Sequence, residues 1–85
     1  MKEDFFESTE EIQYSYDASV DASYISLTKI KDGEVYITYP CDNLPESVSG
    51  QIFLDFDKSG RLLGIEVLGG KSTLPDRYVQ EQHAD

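Results

Sequence analysis

The sequence predicts an α+β protein that is mostly β: about five strands in a mainly antiparallel sheet of meanders and hairpins, with a short C-terminal helix. Three observations predict it. Apolar and polar residues alternate with period 2 in five short runs. Turn-forming clusters of Asp, Asn, Gly, Pro and Ser separate those runs. A chain of 85 residues also leaves room for one small domain at most.

The elements follow in order. Residues 1–11 carry Glu3, Asp4, Glu7, Glu10 and Glu11 beside Phe5 and Phe6 without alternation, and read as an acidic extension. The single β-rich domain is expected over residues 12–79, with 80–85 as a tail. Residues 12–16 (IQYSY) place Ile12, Tyr14 and Tyr16 on one face of a first strand. In DASVDAS, residues 17–23, Asp17 and Asp21 suit a helical or Asx-type turn in which carboxylates accept nearby backbone N–H groups. A second strand follows at 23–30 (SYISLTKI), with Ile25 and Leu27 inward. Asp32-Gly33 between alternating runs predicts a hairpin to a third strand at 35–39 (VYITY), which Pro40 ends. The loop 42–50 leads to strands at 51–56 (QIFLDF) and 61–68 (RLLGIEVL), and Gly69-Gly70 stops the run. LPDRYVQEQ, residues 74–82, suits a short helix with Pro75 in its first turn. The expected core is Tyr14, Tyr16, Ile25, Leu27, Val35 and Ile37, joined by Ile52, Leu54, Phe56, Leu63, Ile65 and Val67.

Composition narrows the function. Hydrophobic residues make up 39% of the chain, and six Tyr with four Phe supply large buried areas, enough to fold without staples. Self-association as a two-fold homodimer would still help so small a core. The lone Cys41 excludes an internal disulfide, and the acidic start lacks the apolar stretch of a signal peptide, so a cytoplasmic location is expected. No apolar run approaches membrane-spanning length. A formal net charge of −10 repels nucleic-acid phosphates and attracts basic partners.

The sharpest motif is DFDKSGRLLGIE, residues 55–66. It fits the EF-hand calcium-loop pattern if Ser59 is allowed at the fifth position, with Asp55, Asp57, Ser59 and Glu66 as candidate ligands. An EF-hand needs a helix on each side of its loop, whereas both flanks here have period 2. Asp57 opening a turn and Gly60 closing it satisfy a β-hairpin with the same residues. The segment therefore reads as a hairpin, with a weak divalent-metal site as the alternative.

The motifs YDASVDASYISL and IFLDFDKSGRLLGIEVL resemble the small bacterial family of domains of unknown function numbered 2283. The matching residues are Tyr16, Asp17, Asp21, Tyr24 and Ile25 in the first segment. In the second they are Leu54, Asp55, Asp57, Gly60, Leu62, Gly64, Ile65 and Glu66. The likeness covers residues 14 to 75 and departs at Ser23, where a leucine is usual. It implies a small, largely β domain and no activity.

No complete catalytic constellation emerges, and no cofactor is expected. Asp55 and Asp57 on one strand face would stand about 6.6–7 Å apart, a spacing that also suits paired carboxylates of a small hydrolase. Cys41 has only His83 as a base. Gly69-Gly70-Lys71-Ser72 lacks the first glycine of a P-loop, although successive backbone N–H groups there suit an anion. The six tyrosines come without the basic groove of a single-strand binder. The reading this supports is a non-catalytic module that binds a basic protein; the alternatives are the metal-binding hairpin and the Asp55/Asp57 hydrolase.

Overall fold

In the computed structural model, which describes residues 4–80, the alternating runs become five strands. They are β1 (Gln13–Asp17), β2 (Ala22–Ser26), β3 (Ile37–Pro40), β4 (Gln51–Phe56) and β5 (Leu62–Leu68). A short helix α1 (Gly70–Thr73) and one 3-10 turn (Asp76–Tyr78) follow. The strands form one antiparallel sheet in the order β1-β2-β5-β4-β3. The central strand, β5, is the longest and the most continuously apolar. At an edge it would offer a long hydrophobic template for unwanted pairing.

Read from the C-terminus, β5, β4 and β3 are joined by hairpins while β2 returns beside β5, which is Greek-key order. One expected hairpin is therefore corrected. The turn at Asp32-Gly33 does form: Glu34 N–H donates to the Lys31 carbonyl at 3.0 Å, and Gly33 takes a φ of +77°. The strands on either side of it separate, β2 to β5 and β3 to β4. Pairing β2 with β3 would have left one side of β5 unsatisfied.

The C-terminal helix also differs from its expected place over 74–82. Helical residues begin at Gly70 and end at Thr73, because Leu74 precedes a proline and is driven to extended backbone (φ −104°, ψ 155°). Beyond Pro75 only the 3-10 turn forms. Residues 81 and 82 of the expected helix lie outside the described residues.

Register assigns the side chains to two faces, since residues opposite each other in a ladder share a face. Ile25, Ile65 and Leu54 line up across β2, β5 and β4, and Tyr39 on β3 continues the row. This face is apolar. The other face carries Tyr24, Glu66, Gly64, Asp55 and Thr38. The C-terminal segment covers the β1–β2 end of the apolar face: the Tyr78 ring meets Tyr14 edge-on, 5.2 Å between centroids, and the Tyr14 hydroxyl donates to the Tyr78 carbonyl. Ser23 is buried there, its hydroxyl 2.9 Å from that of Tyr14, so the polar departure from the family pattern has a partner.

Among the expected core residues only Leu63 and Val67 are fully buried. Leu27, Val35 and Ile37 are exposed, Ile37 by 51%, which corrects their placement in the core. Leu27 and Val35 lie in the connection that β2 and β3 leave when they separate, and Ile37 sits on an edge strand. The remaining seven are half-buried, because the described residues include no second layer broad enough to cover the sheet.

Candidate functional site

The polar face is organised around Asp55. On the neighbouring strand Thr38 lies directly opposite, and its hydroxyl donates to Asp55 Oδ1 at 2.6 Å. From two strands away, the Tyr24 hydroxyl donates to Oδ2, also at 2.6 Å. Tyr24 reaches that far by lying across Gly64, the residue opposite Asp55 on β5. A side chain at position 64 would occupy the space of the Tyr24 ring. Gly64 is thus in the strand for close approach, in keeping with an isolated glycine inside a strand pattern.

Glu66 shares this face, opposite Tyr24 on one side and Phe53 on the other, and diagonal to Asp55. Burial, the hydrogen bond to Asp55 and the charges of Asp55 and Glu66, in that order, push the Tyr24 phenol well above the ordinary tyrosine range. The tyrosine therefore stays protonated and serves Asp55 as a donor. Sequence reading singled out Asp55 and Glu66 but missed Tyr24 and Thr38 as partners; the signal that pointed to them was Gly64.

The DFDKSGRLLGIE motif, residues 55–66, is a hairpin flanked by strands. Asp57 lies beyond the end of β4, and its carboxylate accepts the backbone N–H groups of Ser59 and Arg61, each at 2.9 Å. Arg61 Nε stands 3.2 Å from its other oxygen. These bonds, the Arg61 N–H foremost, hold the Asp57 carboxyl below the usual range. Gly60 takes the left-handed backbone that closes the turn (φ +83°). Asp55 and Asp57 thus engage separate partners, while Ser59 is held through its backbone. Among the described residues, no three His, Cys, Asp or Glu side chains come together as a metal-ligand group.

The two aspartates of the β1–β2 turn divide their tasks. Asp17 accepts the hydroxyl and the N–H of Ser19 at 2.6 and 3.0 Å, a local Asx turn. Asp21, with φ +52°, reaches a distant segment instead. Its carboxylate accepts the Tyr16 hydroxyl at 2.7 Å and Lys71 N–H at 3.0 Å, while its carbonyl accepts Gly69 and Gly70 N–H. The backbone N–H groups that looked suited to an anion are filled by the protein's own Asp21. The hydrogen bond from Tyr16 is the main reason its carboxyl is held below the normal range.

An open cleft of about 690 Å³ lies between Tyr14 and Tyr16, the β1–β2 turn and the Arg77–Tyr78 segment. Arg77 stacks on the Tyr78 ring, 4.6 Å from its centroid. Cys41 is half-buried at the end of β3, with its N–H donating to the Ile52 carbonyl. His83, the one base the sequence offers it, lies outside the described residues.

No helix among the described residues is long and apolar enough to cross a membrane. Residues 13–70 match the family described as "Protein of unknown function (DUF2283)". The match takes in the β1–β2 turn, the Tyr24–Asp55–Gly64 crossing and the β4–β5 hairpin. No curated protein and no solved structure matches the chain.

Proposed function

The chain belongs to this family of proteins of unknown function, and from the geometry of its sheet we propose that it is a non-catalytic binding module for a basic protein partner. One observation carries the reading. The five strands contain no lysine or arginine, and their three carboxylates, Asp17, Asp55 and Glu66, fall on the same face.

The chain carries a formal net charge of −10, which draws a cationic surface toward it over roughly a Debye length, ~8 Å at physiological salt. The same field disfavours nucleic acid. Tyr24 and Thr38 hold the Asp55 carboxylate in place, so lysine or arginine groups meet a fixed acceptor and lose less freedom on binding. The hydrolase alternative is not favoured, since Asp55 and Asp57 have separate partners. A lone half-buried cysteine suits a reducing compartment such as the cytoplasm, which is where this reading puts the module.

Affinity capture from native cell extract at about 50 and about 300 mM salt tests the proposal. The expected result is a basic protein retained at the lower salt, released at the higher, and lost from an Asp17→Asn/Glu66→Gln variant. Equal capture by that variant overturns it. So does an empty capture combined with turnover in a hydrolase screen that Asp55→Asn abolishes.

A further inference from the structure

The apolar face of the sheet carries no charged side chain on any strand. Around its centre Ile25, Leu54 and Ile65 are only half-buried, and toward the β3 edge Ile37 and Tyr39 are 51% and 57% exposed. A sheet with one apolar face needs a second layer against it. Among the described residues the elements outside the sheet, four residues of α1 and three of the 3-10 turn, are too short to supply one.

Area gives the scale of what is missing. A compact monomer of 9.6 kDa exposes about 5,100 Å², whereas this chain exposes 7194 Å². A standard interface removes about 800 Å² from each partner, less than this excess of about 2,000 Å².

Charge selects the occupant. A cationic partner finds no carboxylate on these strands to pair with, because all three point the other way. Two chains of net charge −10 repel one another at most approaches, and this face keeps their strand carboxylates on the outer sides. A second copy also offers the same uncharged surface about a two-fold axis, as an isologous interface requires. We propose that the chain forms a homodimer in which the apolar faces of two sheets, centred on β4 and β5, pack against each other as a sandwich. The acidic faces then point outward in opposite directions, leaving both available to partners.

Sedimentation equilibrium of the full chain at about 50 µM tests this, with two single-residue variants on opposite faces. Tyr39→Asp places a charge in the proposed interface at an exposed edge position that folding tolerates. Gln51→Lys does so at an exposed site on the acidic face. The expected result is a dimer of twice 9.6 kDa for the wild type and for Gln51→Lys. Tyr39→Asp should raise the dissociation constant by on the order of a hundredfold while circular dichroism shows the sheet intact. A wild-type chain that remains at 9.6 kDa overturns the proposal. Dissociation by Gln51→Lys with Tyr39→Asp still dimeric overturns it too, by assigning the interface to the acidic face.

Discussion

The Tyr24 hydroxyl meets the Asp55 carboxylate at 2.6 Å from two strands away, passing over the bare backbone of Gly64. Three strands are tied together on their polar face by this crossing, and a fourth joins through Thr38. The arrangement depends on a missing side chain as much as on the two that are present.

Gly64→Ala should therefore destabilise the protein by about 1–3 kcal/mol, since the added methyl displaces the Tyr24 ring. In a Tyr24→Ala background the same change should cost much less, because the obstructing ring is gone. Urea denaturation of the two single variants and the double variant measures the coupling. Strict additivity would show that position 64 matters for some reason other than Tyr24.

On the alkaline side, Tyr24 ionises less readily when folded than when unfolded. Its contribution to stability is complete below the unfolded value of about 10 and declines as pH rises beyond it. Tyr24→Phe keeps the ring and removes the hydroxyl, at a cost of about 1 kcal/mol near neutrality. It should also flatten the alkaline loss of stability. Thermal melts between about pH 8 and pH 11 provide the comparison, and an unchanged slope in the variant counts against the coupling.

Acid acts through other groups. The carboxyls of Asp17, Asp21 and Asp57 are all held low, chiefly by the Ser19 hydroxyl, the Tyr16 hydroxyl and the Arg61 N–H respectively. The unfolded chain binds protons at these sites first, so stability is complete above about pH 4 and falls as pH drops below it. Asp21→Asn, which keeps an acceptor for Tyr16 and Lys71, should give a shallower acid transition by circular dichroism. If its acid limb matches the wild type, Asp21 contributes nothing to the transition.

Calcium and manganese should produce no saturable heat on titration. Asp57 is already engaged by two backbone N–H groups and by Arg61, and Asp55 by Tyr24 and Thr38. A metal would have to displace these donors. A saturable signal that disappears in Asp57→Ala would identify the hairpin as a metal site after all.

Much of the local structure was legible in the sequence. Asp57 and Gly60 specify the β4–β5 turn through bonds and a backbone angle contained within five residues, and Asp17 specifies its Asx turn within three. Period-2 alternation located every strand for the same reason: it needs no knowledge of neighbours. Tertiary structure decided the rest. The turn at Asp32-Gly33 formed, yet β2 paired with β5, because strand choice depends on which edges across the whole sheet need partners. Asp21 could be read as a turn residue, but only the return of Gly69–Lys71 to the β1–β2 turn supplied the N–H groups it holds. The exposure of Ile37 and the half-burial of Ile65 followed likewise from the absence of a broad second layer among the described residues. Alternation marks which residues share a face, whereas packing determines what covers it.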